Sequence, residues 1–340
     1  MRYELFAIQH IRLLYMIRVA IVMSFILLTV RIFNIPYGYW ALITAVTILG
    51  TIPYIGGVLS KAKERILGTV IGGVIGLALF LIPVQWHWTH HLMFLALLIG
   101  SMYYTQEKYT YAALIVAVTL VVVAGGGPED FDAAIWRVLN VLWAGILTIL
   151  ASLYIFPTRA TSQFTYLLNQ FLQESCLYYH RHNQEMALNI FDPMHADKLA
   201  SIIDKQAGLL PHVLKEAGEN SSTYSDILLI EKRIYADLET LISTQWDTQQ
   251  GKDKISNMPD LTHAKEQLAN QFQRLGEQVA KKSILVVLAQ DITILSLQPK
   301  RHPHPHDDTS DISYFGYLWL NRELARQFSQ LTYASSKLFS

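Results

Sequence analysis

Between Tyr37 and Ile82 the chain reads YGYWALITAVTILGTIPYIGGVLSKAKERILGTVIGGVIGLALFLI, two apolar stretches flanking the charged run Lys61, Lys63, Glu64, Arg65. Each stretch approaches the roughly 20 residues that carry a helix across a bilayer. The second places Gly68, Gly72 and Gly76 four residues apart, on one helical face. Apolar runs of this length, separated by a short basic turn, point to a membrane-spanning helical hairpin.

Composition supports this once the chain is divided. Nine of the 27 Lys and Arg residues precede Pro157 (Arg2, Arg12, Arg18, Arg31, Lys61, Lys63, Arg65, Lys108, Arg137), together with six of the 27 Asp and Glu. A net charge of zero therefore conceals an apolar first half and a charged second half of ordinary domain size. The expected architecture is an all-α membrane protein: a six-helix transmembrane bundle over residues 1–157, followed by a cytoplasmic α-helical bundle over 158–340. Cys176 is the one cysteine, so no intramolecular disulfide and no cysteine-based zinc site can form.

Six spans are expected, at 13–33, 39–58, 66–83, 91–104, 109–124 and 134–156. Arg2 and Arg12, then Lys61, Lys63 and Arg65, then Lys108 and Arg159 fall on one side. Arg31, the Trp86–Trp88 segment with His90 and His91, and the Glu129, Asp130, Asp132 loop fall on the other. Under the positive-inside rule both termini are cytoplasmic, and Tyr37, Tyr39, Trp40, Trp86 and Trp88 sit at the outer interface. Arg12 and Arg18 before the apolar run 19–30 imitate a signal peptide, but no small-residue cleavage site follows, so an uncleaved first helix is expected.

Small residues indicate how these helices pack. Gly68, Gly72 and Gly76, and Ala144, Thr148 and Ser152 in the sixth span, let backbones approach closely, either within one bundle or at a dimer contact. Pro53 followed by Gly56 and Gly57 removes a backbone donor within the second span. Carbonyls freed at membrane depth are tolerated only beside protein or a water-lined cavity, which makes this a candidate broken helix on a pathway.

At these residues the chain resembles the fusaric-acid-resistance and aromatic-acid-exporter superfamily. The resemblance rests on Arg18-Val-Ala, Pro36 through Trp40-Ala41-Leu42, Pro53 with Gly56-Gly57, Lys61, Arg65-Ile66-Leu67-Gly68-Thr69 leading into Gly72, and Arg137 with Gly145 and Phe156-Pro157. It covers residues 10–157. Many relatives carry a glutamine where this chain has Ile52, so a role of that glutamine does not transfer. The resemblance implies a multi-pass bacterial inner-membrane protein that exports small organic anions, aromatic carboxylic acids or related amphipathic compounds; plant aluminium-activated malate channels are similar in the membrane part. Longer relatives hold two six-span units, and this chain has one, which implies a homodimer.

Three arginines are the candidate anion-binding residues. On the expected topology Arg18 lies about 8 Å inside the inner boundary, Arg137 a few residues inside the outer one, and Arg65 at the inner mouth. A guanidinium in a span costs several kcal/mol unless paired or hydrated, and its donor fork suits a carboxylate. The alternative is that all three snorkel to headgroups. Glu64 and Glu107 fall in inner loops, so no carboxylate relay for protons is evident.

His302, His304 and His306 alternate with prolines and read as an extended linker rather than a metal site. No GxSxG, HExxH or phosphate-binding glycine loop is present, so neither an enzyme nor a cofactor is expected. Nothing points to nucleic acid; lipid and a small organic anion are the expected partners. Beyond Pro157 amphipathic helices are expected at 159–190, 195–217, 223–248, 261–297 and 311–338, forming a bundle that docks on a second chain or caps the inner mouth. Three functions stay open: an exporter of organic acids, a passive organic-anion channel, and a membrane scaffold that transports nothing.

Overall fold

The structure is a computed structural model that describes residues 2–50, 53–106, 110–125, 131–188, 195–244, 259–282, 292–297 and 308–339. Thr51 and Ile52, Glu107 and Lys108, the Gly126–Asp130 part of the fifth loop, Asp192-Pro193, and the histidine-proline segment lie outside the described residues. The chain divides into two compact units, Met1–Arg159 and Ala160–Ser340.

The first unit consists of α1 (Arg2–Gln9), α2 (Ile11–Ile32), α3 (Tyr39–Leu49), α4 (Ile55–Leu79), α5 (His87–Tyr103), α6 (Thr110–Ala124) and α7 (Phe131–Tyr154). Two of these, α2 and α7, are long and apolar enough to cross a membrane, whereas α3 and α6 are apolar but shorter. At 1.5 Å per residue α3 is only about 16 Å long, so the expected span 39–58 is not one helix. It stops at Leu49, where Gly50 takes φ +51°, a conformation that costs a glycine little.

The third helix also departs from expectation. It begins at Ile55 rather than at 66 and carries Lys61, Lys63, Glu64 and Arg65 within it. The reason is local: Val58 to Leu67 reads VLSKAKERIL, rich in strong helix formers and free of proline and glycine. Hydropathy marks the edge of an apolar zone, not the end of a helix.

α4 is the hub of this unit, packed against α3, α6 and α7. Gly68, Gly72 and Gly76 face α6: a Cβ on Gly68 would lie 2.6 Å from the Ala112 carbonyl oxygen, and one on Gly72 2.8 Å from that of Val116. Gly73 meets Val138 of α7 in the same way. A second core joins α2, α3 and α7 through Val22, Ile26, Ala41, Ala45, Leu49, Ala144 and Ala151. α2 buries only the stripe Leu14, Arg18, Val22 and Ile26, and leaves Leu13, Phe25, Leu28 and Ile32 outward. α5 likewise exposes Trp88, Leu92, Leu95 and Ile99. Contiguous apolar surface on this scale suits hydrocarbon rather than water.

The second unit contains α8 (Ala160–Leu188), α9 (Asp197–Ala217), α10 (Ser221–Ser243), α11 (Pro259–Lys281), the short α12 (Thr293–Ser296) and α13 (Asp308–Phe339). α8 packs on α9, α10 and α11, and α10 packs on α13. Phe164 meets Tyr224 edge-on at 5.2 Å between ring centroids, and Phe272 meets Phe328 at 4.6 Å. The single helix expected over 261–297 instead ends at Lys281, and Lys282 turns the chain with φ +54°.

Candidate functional site

Arg65 is the eleventh residue of α4, about 15 Å along the helix and within it rather than in a connecting loop. Its residue is 7% exposed and its Nε finds no hydrogen-bond partner. It lines a cavity together with Thr69 of α4, Trp40 of α3, Ile115, Val118, Thr119 and Val122 of α6, and Arg137 and Val141 of α7. The sequence thus brings two of the three candidate arginines to one space.

Arg137 lies with its guanidinium carbon 3.3 Å from the Trp40 ring centroid, a cation–π contact that stabilises a partly desolvated charge by about 2 kcal/mol. Its Nε, too, has no hydrogen-bond partner. No acidic residue is among those lining the cavity. Buried Arg65 and partly buried Arg137 thus border one small space, each with an Nε donor that has no partner. The cavity volume is about 20 Å³, room for water, whereas an apolar cavity on the order of 150 Å³ is needed to admit benzene.

Arg18 does not line that cavity, and its fork serves acceptors within the protein. It is fully buried, with Nε donating to the Ile155 carbonyl at 3.0 Å and Nη1 to the Pro53 carbonyl at 3.3 Å. Nη2 donates to the Phe156 carbonyl and, at 3.2 Å, to the Thr158 hydroxyl. Ile155 and Phe156 follow the end of α7, where a cation also meets the negative end of that helix's dipole, and Pro53 lies in the connection before α4.

Pro53 lies in the connection between α3 and α4, where the helix is interrupted. Gly56 and Gly57 are buried in the first turn of α4. The Pro53 carbonyl accepts from both Arg18 and Thr158, so it is held by protein and does not face the cavity lined by Arg65.

Trp40, Thr69 and Thr119 also line the cavity, a role that no spacing in the sequence marks. Trp40 reads as one of several interfacial aromatics, and Thr119 is a single hydroxyl in an apolar run. Only a neighbour-by-neighbour contact distinguishes either from its surroundings.

The second unit holds polar clusters of its own. The Lys265 ammonium donates to the Tyr317 hydroxyl at 3.0 Å, His182 Nε2 lies 3.1 Å from the same hydroxyl, and the Tyr179 hydroxyl donates to Asn321 Oδ1 at 2.6 Å. Burial, and then the nearby Lys265 cation, pushes His182 down to about 3. Between α9 and α10, Gln206 Nε2 donates to Glu231 Oε1 at 3.0 Å, while Glu231 Oε2 has no partner.

Comparison with known proteins agrees with the geometry of the first unit. Residues 15–151 match the family described as Fusaric acid resistance protein-like. Over 345 aligned residues, 97% of this chain and 95% of the relative, the chain is 28% identical to Inner membrane protein YeeA of Escherichia coli (strain K12). It is also 26% identical over 166 residues to Inner membrane protein YccS of the same organism, a similarity covering 48% of this chain and 22% of that protein. The matched segment contains every cavity residue from Trp40 to Val141. Residues 15–151, which hold the cavity, thus match the fusaric acid resistance protein-like family, and nearly the whole chain is similar to an inner-membrane protein.

Proposed function

We propose that this chain is a multi-pass inner-membrane transporter of small organic anions, aromatic carboxylic acids or related amphipathic compounds, working as a homodimer with its second unit in the cytoplasm. The inner-membrane location follows the names of its relatives. One observation carries the transport reading: Arg65 and Arg137 line one cavity in which no acidic side chain neutralises them. A carboxylate reaching it finds two guanidinium groups, the Thr69 and Thr119 side chains, and the Trp40 ring, which suits a ligand with a charged end and a flat apolar body. Because the cavity is water-sized, the described conformation is closed, and passage requires Trp40 to leave Arg137 or α3 to shift.

The same lining favours a second reading. Without a carboxylate in the cavity there is no group to exchange protons with the substrate, which is the expected chemistry of a passive anion channel. Benzoate efflux from loaded proteoliposomes, with and without an inward proton gradient, decides between them. Gradient-dependent efflux supports a coupled exporter and gradient-independent efflux a channel; no efflux above protein-free vesicles in either condition overturns transport altogether.

A further inference from the structure

Arg18 is the largest fully buried side chain among the described residues, and its partners share a pattern. Ile155 and Phe156 follow the end of α7, Pro53 precedes the start of α4, and Thr158 lies just beyond α7. Thr158 binds back to the same place, its hydroxyl donating to the Pro53 carbonyl and its carbonyl accepting from the Ile55 N–H at 3.1 Å. One turn earlier on α2, the Tyr15 hydroxyl donates to the carbonyl of Gly50, the residue that ends α3. Two side chains of α2 therefore hold the end of α3, the start of α4 and the end of α7 together. Those three helices carry Trp40, Arg65 and Arg137.

Phe156 adds a second sign that this junction is held in place. It has φ +47°, a conformation that costs a non-glycine residue about 1 kcal/mol or more and persists where the surroundings over-determine it. Its carbonyl is one of those that Arg18 binds.

We propose that Arg18, with Tyr15 and Thr158, is the positioning residue of the anion site: it sets the ends of α3, α4 and α7 and so holds Trp40, Arg65 and Arg137 around one cavity, without itself meeting the anion. This rests on the Arg65–Arg137 reading of the site. The requirement on Arg18 is geometric, since its planar fork serves acceptors on three separate segments. Lysine keeps the charge but concentrates its donors on one nitrogen and cannot reach them all.

The test uses the full chain in lipid nanodiscs and sodium benzoate as the probe, with affinity and thermal stability recorded side by side. Arg18→Lys and Arg18→Gln are expected to weaken benzoate binding alike, by about tenfold, and to cause no further loss once Arg65→Gln is present, because a positioning residue acts through the group it positions. Thr158→Ala, which keeps the helices and removes one shared hydroxyl, is expected to weaken binding by about threefold, with Thr158→Ser restoring it; this arm stands even if the Arg18 variants fail to fold. Parent affinity in Arg18→Lys with loss in Arg18→Gln, additive loss on the Arg65→Gln background, or parent affinity in Thr158→Ala overturns the positioning role and leaves the site reading standing. Parent affinity in Arg65→Gln alone overturns the site reading itself.

Discussion

Glu231 shows what one buried side chain does to the pH response of the whole molecule. It is fully buried with one donor, and burial pushes its carboxyl up to about 8 from an ordinary 4.5. Between those values the folded chain holds a proton that the unfolded chain releases, so stability falls as pH rises. Asp237, raised to about 6 by burial and by Glu323, acts in the same direction lower down. His182 opposes both: its folded value of about 3 lies below its ordinary 6.5, so its contribution is present above 6.5 and is lost as pH falls toward 3. From pH 6.5 to 8 only Glu231 of these three still titrates, and thermal unfolding of the intact protein should show about 2 kcal/mol of stability lost across that window. Glu231→Gln keeps the shape and removes the proton, so its stability should be flat there; an unchanged slope in that variant sets the assignment aside. Such residues were only partly legible. Ile230 and Ile234 mark the buried face of α10 by their spacing, but a charged Glu231 reads as its solvated side. The surroundings of Arg18 were not legible either, because most of its acceptors are backbone carbonyls, which leave no trace in a sequence.

Among the elements, α4 depends most on the absence of side chains. A Cβ at Gly68 or Gly72 meets a carbonyl oxygen of α6 at 2.6 or 2.8 Å, and backbone cannot step aside unless the helices separate. At Gly76 the obstacles are Cγ1 and Cβ of Val123 at 2.8 and 3.0 Å, side-chain atoms rather than a carbonyl oxygen of the facing backbone. Gly68→Ala and Gly72→Ala should therefore each destabilise the protein by about 1–3 kcal/mol and Gly76→Ala by less, with Gly100→Ala, where nothing lies within 4 Å, as the neutral control. Thermal stability of purified protein checks the order, and equal losses at all four positions contradict it. The glycine spacing announced a close helix contact but not its partner, which α6 supplies. The amphipathic helices of the second unit were readable because a charged face alternates with an apolar one. The start of α4 was not: a charge run that ends an apolar zone continues a helix equally well.

At the scale of the molecule, two units with different surfaces share one chain. The first turns apolar side chains outward on α2 and α5 and keeps its buried charge on Arg18, Arg65 and the partly buried Arg137; the second buries its apolar faces and turns most of its charge outward, with Glu231 and Lys265 buried. This division was plain from where Lys, Arg, Asp and Glu fall along the sequence. That Arg65 and Arg137 converge was not, because they are 72 positions apart and meet only when α4 and α7 pack. This convergence is the proposed holding point for an organic anion. Initial rates of benzoate efflux from proteoliposomes, compared among the parent, Arg65→Gln and Arg137→Gln at matched protein incorporation, test it most directly. Loss of a charge-assisted contact worth about 1.5–3 kcal/mol predicts rates lower by about tenfold or more in each variant, with folding retained. Two variants that fold and transport benzoate at the parent rate contradict the account.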